Sequence, residues 1–331
     1  MKLSNIKIEL LIYFIWIISL FLIYQFSNII DGGNFSEGYK LGNDSSRYIN
    51  AAQDLLTGNL PSGKANSYFT YNLFLAFCLY INIGLFGSVV IQIILTGIAA
   101  FCLYRISFDF FSKYVARITL ILFLFFPHIQ LRNFYILTES LYISLSIIGI
   151  YLICRIKNRD ILYGYIVLIL ASFIRPNSIV LLLIIFLKSF YIFYRFKNKN
   201  YIYLFIILSL ISLTPVLFII NQLIINENIF KYLMSGAIIQ EYNGIKVDPI
   251  ILNADLYKEN SFVQIINYIY FHPVHFLEVI YKKLYWSLLR YRPFYSDIHN
   301  YFILFTTIPI YIFFTIGIFL KIQKNYALKI L

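Results

Sequence analysis

Long apolar runs interrupted by short polar breaks dominate the chain. Runs of this kind fall at about 10–30, 88–104, 115–131, 136–154, 161–174, 176–194, 201–225 and 301–320. A helix needs about 20 apolar residues to cross a bilayer, so the pattern predicts eight transmembrane helices, the shorter ones helped by flanking residues or local thinning. The first run follows Lys2 and Lys7 and has no small-residue cleavage site behind it, which predicts a retained first span rather than a signal peptide. A further run, Tyr71 to Phe86, fits either a ninth span or a helix lying in the membrane interface.

Charge distinguishes these two. With 71–86 in the outer interface, the inside segments (the N-terminus, 105–117, 155–160, 188–200 and the C-terminus) hold 15 Lys/Arg against the three acids Glu9, Asp109 and Asp160. The outside segments hold the remaining 12 basic and 12 acidic residues. If 71–86 spanned, every later basic loop would move outside and the positive-inside bias would reverse. The expectation is therefore an all-α polytopic membrane protein, a single membrane-embedded domain over 1–331, with both termini cytoplasmic in a bacterial inner-type membrane. Two external loops follow, about 31–87 and 226–300, each containing interfacial helices. In the second, Pro273 to Leu289 reads as an amphipathic surface helix: Phe276, Ile280, Leu284 and Leu288 repeat every fourth residue, and Glu278 and Lys282 form an i,i+4 pair.

Composition agrees. Hydrophobic residues make up 60% of the chain and charged residues 13%, with mean hydropathy +0.77; soluble domains carry about twice that charge. The net charge of +12 does not point to nucleic acid, because the basic residues come in small groups between apolar runs. Cys78, Cys102 and Cys154 sit in apolar surroundings without metal-like spacing and read as small core residues. His272 and His275 are three apart but lack partners at a metal-binding spacing, and there is no phosphate-binding glycine loop or hydrolase motif.

The candidate chemistry lies in the outer loops and at span ends. Asp44 opens the segment Asn43-Asp44-Ser45-Ser46-Arg47-Tyr48, which continues into a short helix with Tyr48, Ala52 and Leu55 on one face and Gly58 at its stop. An aspartate there suits a helix N-cap as well as an acid–base role. Glu139, in Thr138-Glu139-Ser140, opens the fourth apolar run; a carboxylate beside lipid is costly and suggests a function or a buried partner, while a plain helix-opening acid is the other reading. Arg175, in Arg175-Pro176-Asn177, could hold a phosphate by its planar fork or reach to the interface. Lys282, Lys283, Arg290 and Arg292 form a basic group among Tyr285, Trp286, Tyr291 and Tyr295, suited to an anionic lipid phosphate or to ordinary interfacial anchoring. Predicted topology sets all of these at one membrane face. A transporter would instead place ionisable residues near mid-span, along a path.

Those motifs, in this order, resemble the GT-C superfamily of membrane glycosyltransferases, in particular the polyprenyl-phosphate-sugar enzymes related to protein O-mannosyltransferases (glycosyltransferase family 39). The resemblance is carried by Asn43 to Gly58, Leu85-Phe86-Gly87, Pro127-His128, Leu137-Thr138-Glu139-Ser140-Leu141, Ile174-Arg175-Pro176-Asn177, His272-Pro273, and Arg292-Pro293-Phe294-Tyr295-Ser296 with His299-Asn300. It covers most of the chain, through short motifs whose specificity lies in their order. It implies transfer of a sugar from a polyprenyl-phosphate donor to a glycan, lipid or protein acceptor at the external face. It also implies that Asp44 and Glu139 are the catalytic acids. Arg47, Tyr48, His128, Arg175, Lys282, Arg290 and Arg292 become substrate-binding candidates. Many relatives carry a second acid just before the interfacial helix, where this chain reads Ser67-Tyr68-Phe69-Thr70-Tyr71-Asn72. A two-acid metal bridge is therefore not implied; no cofactor is identified, and a divalent metal stays open.

Overall fold

A computed structural model describes residues 3–31, 38–155, 158–175, 236–239, 242–248, 261–289 and 296–319, with a few single positions between 181 and 210. The predicted runs 176–194 and 201–225 therefore lie outside the described residues, as do Arg290 and Arg292. The described chain is mostly helical. It divides into two compact units, one of residues 1–216 with 322–331 and one of 217–321.

The first unit contains α1 (Leu3–Asp31), α2 (Ser45–Leu56), α3 (Phe69–Tyr80), α4 (Gly84–Phe110), α5 (Lys113–Leu124), α6 (Pro127–Arg132), α7 (Thr138–Cys154) and α8 (Asn158–Ser172). Among the described residues, two helices are long and apolar enough to cross a membrane: the 19-residue Lys7–Gln25 part of α1 and the 27-residue α4. At 1.5 Å per residue they measure about 28 and 40 Å. α7 is a shorter apolar helix.

Two breaks depart from the sequence pattern. The expected third span, 115–131, is not one helix: α5 ends at Leu124 and α6 restarts at Pro127. Proline biases the preceding residue away from helix, and Phe126 is extended at ψ 110°. Pro127 itself opens α6, where its missing N–H is tolerated. The run 71–86 also divides. α3 stops at Tyr80, Asn82 takes a left-handed φ of 60°, and the last residues of the run join α4. Twelve residues are about 18 Å of helix, too short to span.

The helices pack by specific means. α7 and α8 meet through glycines: a Cβ on Gly149 would come 2.5 Å from Leu168, and one on Gly164 would come 2.9 Å from the Ile153 backbone nitrogen. Small residues permit that close approach. At one end of the bundle, Glu9 of α1 pairs with Arg117 of α5 at 3.2 Å and accepts from the Tyr104 hydroxyl of α4 at 3.0 Å.

The second unit contains an antiparallel hairpin, β1 (Ala237–Ile239) and β2 (Tyr242–Lys246), a short β element that the all-helical reading of the second loop did not anticipate. It continues with α9 (Ser261–Phe271), α10 (Pro273–Leu289) and α11 (Asp297–Phe319). The bounds of α10 match the helix expected from the sequence. Val279 on α10 is fully buried, while Val274, Leu277, Tyr281, Leu284 and Leu288 are exposed. His275 lies between the Tyr268 hydroxyl, 2.5 Å from Nδ1, and the Asp248 carbonyl, 2.8 Å from Nε2.

Candidate functional site

The first loop is anchored to the segment before α7 through its backbone. The Lys40 amide donates to the Phe134 carbonyl at 2.8 Å, and the Ile136 amide donates to the Lys40 carbonyl at 3.0 Å, making a parallel bridge between Lys40 and Tyr135. Ser45 adds a side-chain link: its hydroxyl donates to the Ile136 carbonyl at 2.8 Å and accepts from the Gly42 amide at 2.8 Å. The loop packs closely at Gly42, where a Cβ would come 3.1 Å from the Leu137 side chain. The loop therefore brings Asp44 to the N-terminus of α7, where Glu139 stands.

α2 then follows as read from the sequence. Tyr48 and Ala52 are buried, and Leu55 packs against the same core. Gly58, at φ 83°, ends the helix: the Asn59 amide donates to the Asp54 carbonyl at 2.9 Å and the Gly58 amide to Leu55 at 3.2 Å. This is the six-to-one and five-to-two pairing of a left-handed helix stop.

Asp44 occupies the N-cap position of α2 but makes no capping hydrogen bond with its side chain. Its carboxylate instead pairs with Arg47 at 3.0 Å. Glu139, in the first turn of α7, pairs with Arg175 just beyond α8 at 3.4 Å. Both pairs are partly exposed, with side-chain accessibilities of 31% and 46% for Arg47 and Asp44, and 32% and 27% for Arg175 and Glu139. Each pair also has a buried atom with no hydrogen-bond partner among the described residues, Arg47 Nη1 and Glu139 Oε2.

Three tyrosines tie the two pairs into one group. The Tyr48 ring makes edge-on contacts with Tyr68 at 5.1 Å and Tyr71 at 5.2 Å. Burial pushes the Tyr48 phenol well above its ordinary range, and the nearby Tyr68, Asp44 and Glu139 push it in the same direction. Burial also raises Tyr68, with Asp44 adding to the rise while Arg175 and Arg47 oppose it. The Tyr71 phenol is raised by burial, then by Tyr48 and Glu139. Asp44, Arg47, Tyr48, Tyr68, Tyr71, Glu139 and Arg175 thus form one electrostatic cluster, built from the first loop, α2, α3, α7 and the end of α8. The Thr70 amide, donating to the Phe173 carbonyl at 3.3 Å, closes α3 against α8 beside it.

The remaining described candidates lie on other elements. His128 lies on α6, its ring 5.6 Å from that of Phe126. Lys282, on α10 of the second unit, pairs with Glu278 at 2.8 Å, as the i,i+4 spacing predicts. Its neighbour Lys283 is held below the usual lysine range by burial. Among the described residues no group of three or more His, Cys, Asp and Glu is arranged to hold a metal ion.

Sequence reading passed over Tyr71, which falls in the apolar stretch taken for an interfacial helix, Tyr68 just before it, and the amides of Gln92, Gln130 and Asn133. All three amide residues are fully buried. An amide side chain inside an apolar run was the available signal, since buried polar groups are kept where they are hydrogen-bonded. Comparison with known protein families, curated proteins and solved structures found no match for this chain.

Proposed function

We propose that the chain is a polytopic membrane glycosyltransferase that takes a sugar from a polyprenyl-phosphate donor and passes it to an acceptor at the external membrane face. One observation carries most of the support: Asp44 and Glu139, each with an arginine partner, both lie close enough to Tyr48 to raise its phenol, although they arise in separate parts of the chain. A pure capping role for Asp44 would use its carboxylate on the helix amides, and that bond is not made. The two long apolar helices, the exposed apolar faces of α10 and α11, and the charge bias of the loops support the membrane setting.

In this reading Asp44 accepts the proton of the acceptor hydroxyl as its oxygen attacks the anomeric carbon. The bond from that carbon to the phosphate oxygen breaks, and the polyprenyl phosphate leaves with the electron pair and its negative charge. Direct displacement inverts the anomeric carbon. Arg175 and Arg47 stabilise the charge that develops on the phosphate, and Glu139 orients Arg175 and the sugar hydroxyls. Lys282, Arg290 and Arg292, basic residues of the second external loop, suit an anionic lipid headgroup. Reconstitution in liposomes with radiolabelled polyprenyl-phosphate sugars tests the reading. Label moving to an acceptor fraction supports it, and no transfer from any such donor defeats it.

A further inference from the structure

We infer that Gln92 is a positioning residue, a buried amide that fixes the segment on which the Asp44 loop docks. Gln92 lies on α4 and is fully buried. Its Nε2 donates to two backbone carbonyls, Asn133 at 3.1 Å and Tyr135 at 3.2 Å. Its Oε1 accepts from the Tyr71 hydroxyl at 3.4 Å. Both amide protons and the carbonyl are used, so this side chain satisfies groups on two separate elements at once.

The two carbonyls belong to the stretch that bridges to Lys40. Phe134 and Ile136 pair with Lys40 through their own backbone groups, while the carbonyls of the alternate residues Asn133 and Tyr135 accept from Gln92. One amide therefore anchors the back of the strand-like segment whose front holds the loop. Through Tyr71 the same amide reaches the tyrosine ring packed against Tyr48.

A second layer fixes this stretch from below. The Asn133 side chain accepts from Thr96 at 2.8 Å and Ser140 at 2.5 Å, and donates to Gln130 at 3.2 Å. Gln130 also accepts from the Trp16 indole at 2.7 Å and donates to the Phe123 carbonyl at 3.1 Å. Gln130 lies on α6, beyond the break at Phe126–Pro127. Gln92 is the member that touches both the loop's docking segment and Tyr71. Its hydrogen bonds stand without the proposed function; only their bearing on sugar transfer rests on it.

The test reads the geometry without using activity. In full-length protein with Cys78, Cys102 and Cys154 replaced by alanine, Lys40→Cys and Tyr135→Cys introduce a thiol pair across the parallel bridge, at a separation suited to a disulfide. In liposomes, copper phenanthroline with dissolved oxygen oxidises the thiols, and the rate of disulfide formation is followed by peptide mass spectrometry. Gln92→Leu, of similar volume, should slow it by about tenfold or more, because two buried carbonyls lose their donor. Gln92→Glu supplies the second readout. As a neutral acid it still donates one hydrogen bond; ionised, it is an acceptor facing carbonyls. Its rate, divided by that of the Gln92 parent at the same pH, should be close to one at low pH and fall as pH rises. A merely space-filling role would give no such pH dependence. If Gln92→Leu does not insert or fold, the Gln92→Glu profile decides alone. Parent-like rates in Gln92→Leu, or a flat profile in Gln92→Glu, overturn the inference. An inactive parent that crosslinks as expected counts against the transferase reading and leaves the positioning role standing.

Discussion

Arg175 Nη1 lies 3.4 Å from Glu139 Oε1, so the residue just beyond α8 is paired to the first turn of α7. The contact closes the end of the α7–α8 hairpin beside the Asp44 loop. Because both side chains are about one-third exposed or less, the pair is neither a surface decoration nor a dry core bridge. Pairs of this exposure contribute at most about 1 kcal/mol to stability. Arg175→Met should therefore lower the thermal midpoint of detergent-purified protein by only a few degrees, by about 1 kcal/mol, while transfer falls by about 10²-fold or more. A scaffold role would give the reverse, an evident loss of stability without a reaction to lose. Arg175→Lys should restore little activity, because a point charge does not replace the planar fork.

Ser45→Ala tests the docking of the first loop. The hydroxyl is fully buried, donates to Ile136 and accepts from Gly42. Its removal leaves both backbone groups unsatisfied, at a cost of about 1–3 kcal/mol. Thermal unfolding in detergent should show a lowered midpoint, and Ser45→Thr should recover part of it.

Tyr48 gives a pH dependence with a definite sign. Its folded-state pKa is raised above the unfolded value, first by burial and then by Tyr68, Asp44 and Glu139. The stability tied to the neutral phenol is fully present below the unfolded value, about 10. It is lost as pH climbs from there through the folded value. Above pH about 10, the parent should lose stability more steeply than Tyr48→Phe, as thermal scans across pH 8 to 11 would show; equal slopes would remove Tyr48 as the cause.

Topology can be checked by labelling. In a cysteine-free background, Leu60→Cys, at an exposed position after α2, should react with a membrane-impermeant maleimide from outside intact cells. Tyr114→Cys, exposed at the start of α5, should react only after permeabilisation. The opposite pattern would reverse the positive-inside assignment.

Part of the fold was legible because its signals are local. The α2 face of Tyr48, Ala52 and Leu55, its stop at Gly58, and the Pro273–Leu289 helix with its Glu278–Lys282 pair all depend on residues a few positions apart. The breaks at Phe126 and Asn82 were harder, since apolar residues continue through both and hydropathy cannot see a change in backbone direction. Pro127 was the clue to the first. At the candidate site, Asp44, Glu139 and Arg175 stood out because charges are rare in this chain. Their pairing did not, because nothing local links the start of α7 to the turn after α8. Tyr71 and Gln92 were missed for a related reason: in an apolar run, a phenol or an amide reads as filler until its hydrogen-bond partner on another element is known.

Replacing Asp44 by asparagine tests the central claim most directly, in liposomes supplied with a radiolabelled polyprenyl-phosphate sugar. The substitution keeps size and removes the base, and Arg47 loses its charged partner at 3.0 Å. Membrane insertion and thermal midpoint should stay near those of the parent, while transfer falls by about 10²-fold or more, the span of a lost general base. Transfer at the parent rate in Asp44→Asn would contradict the assignment.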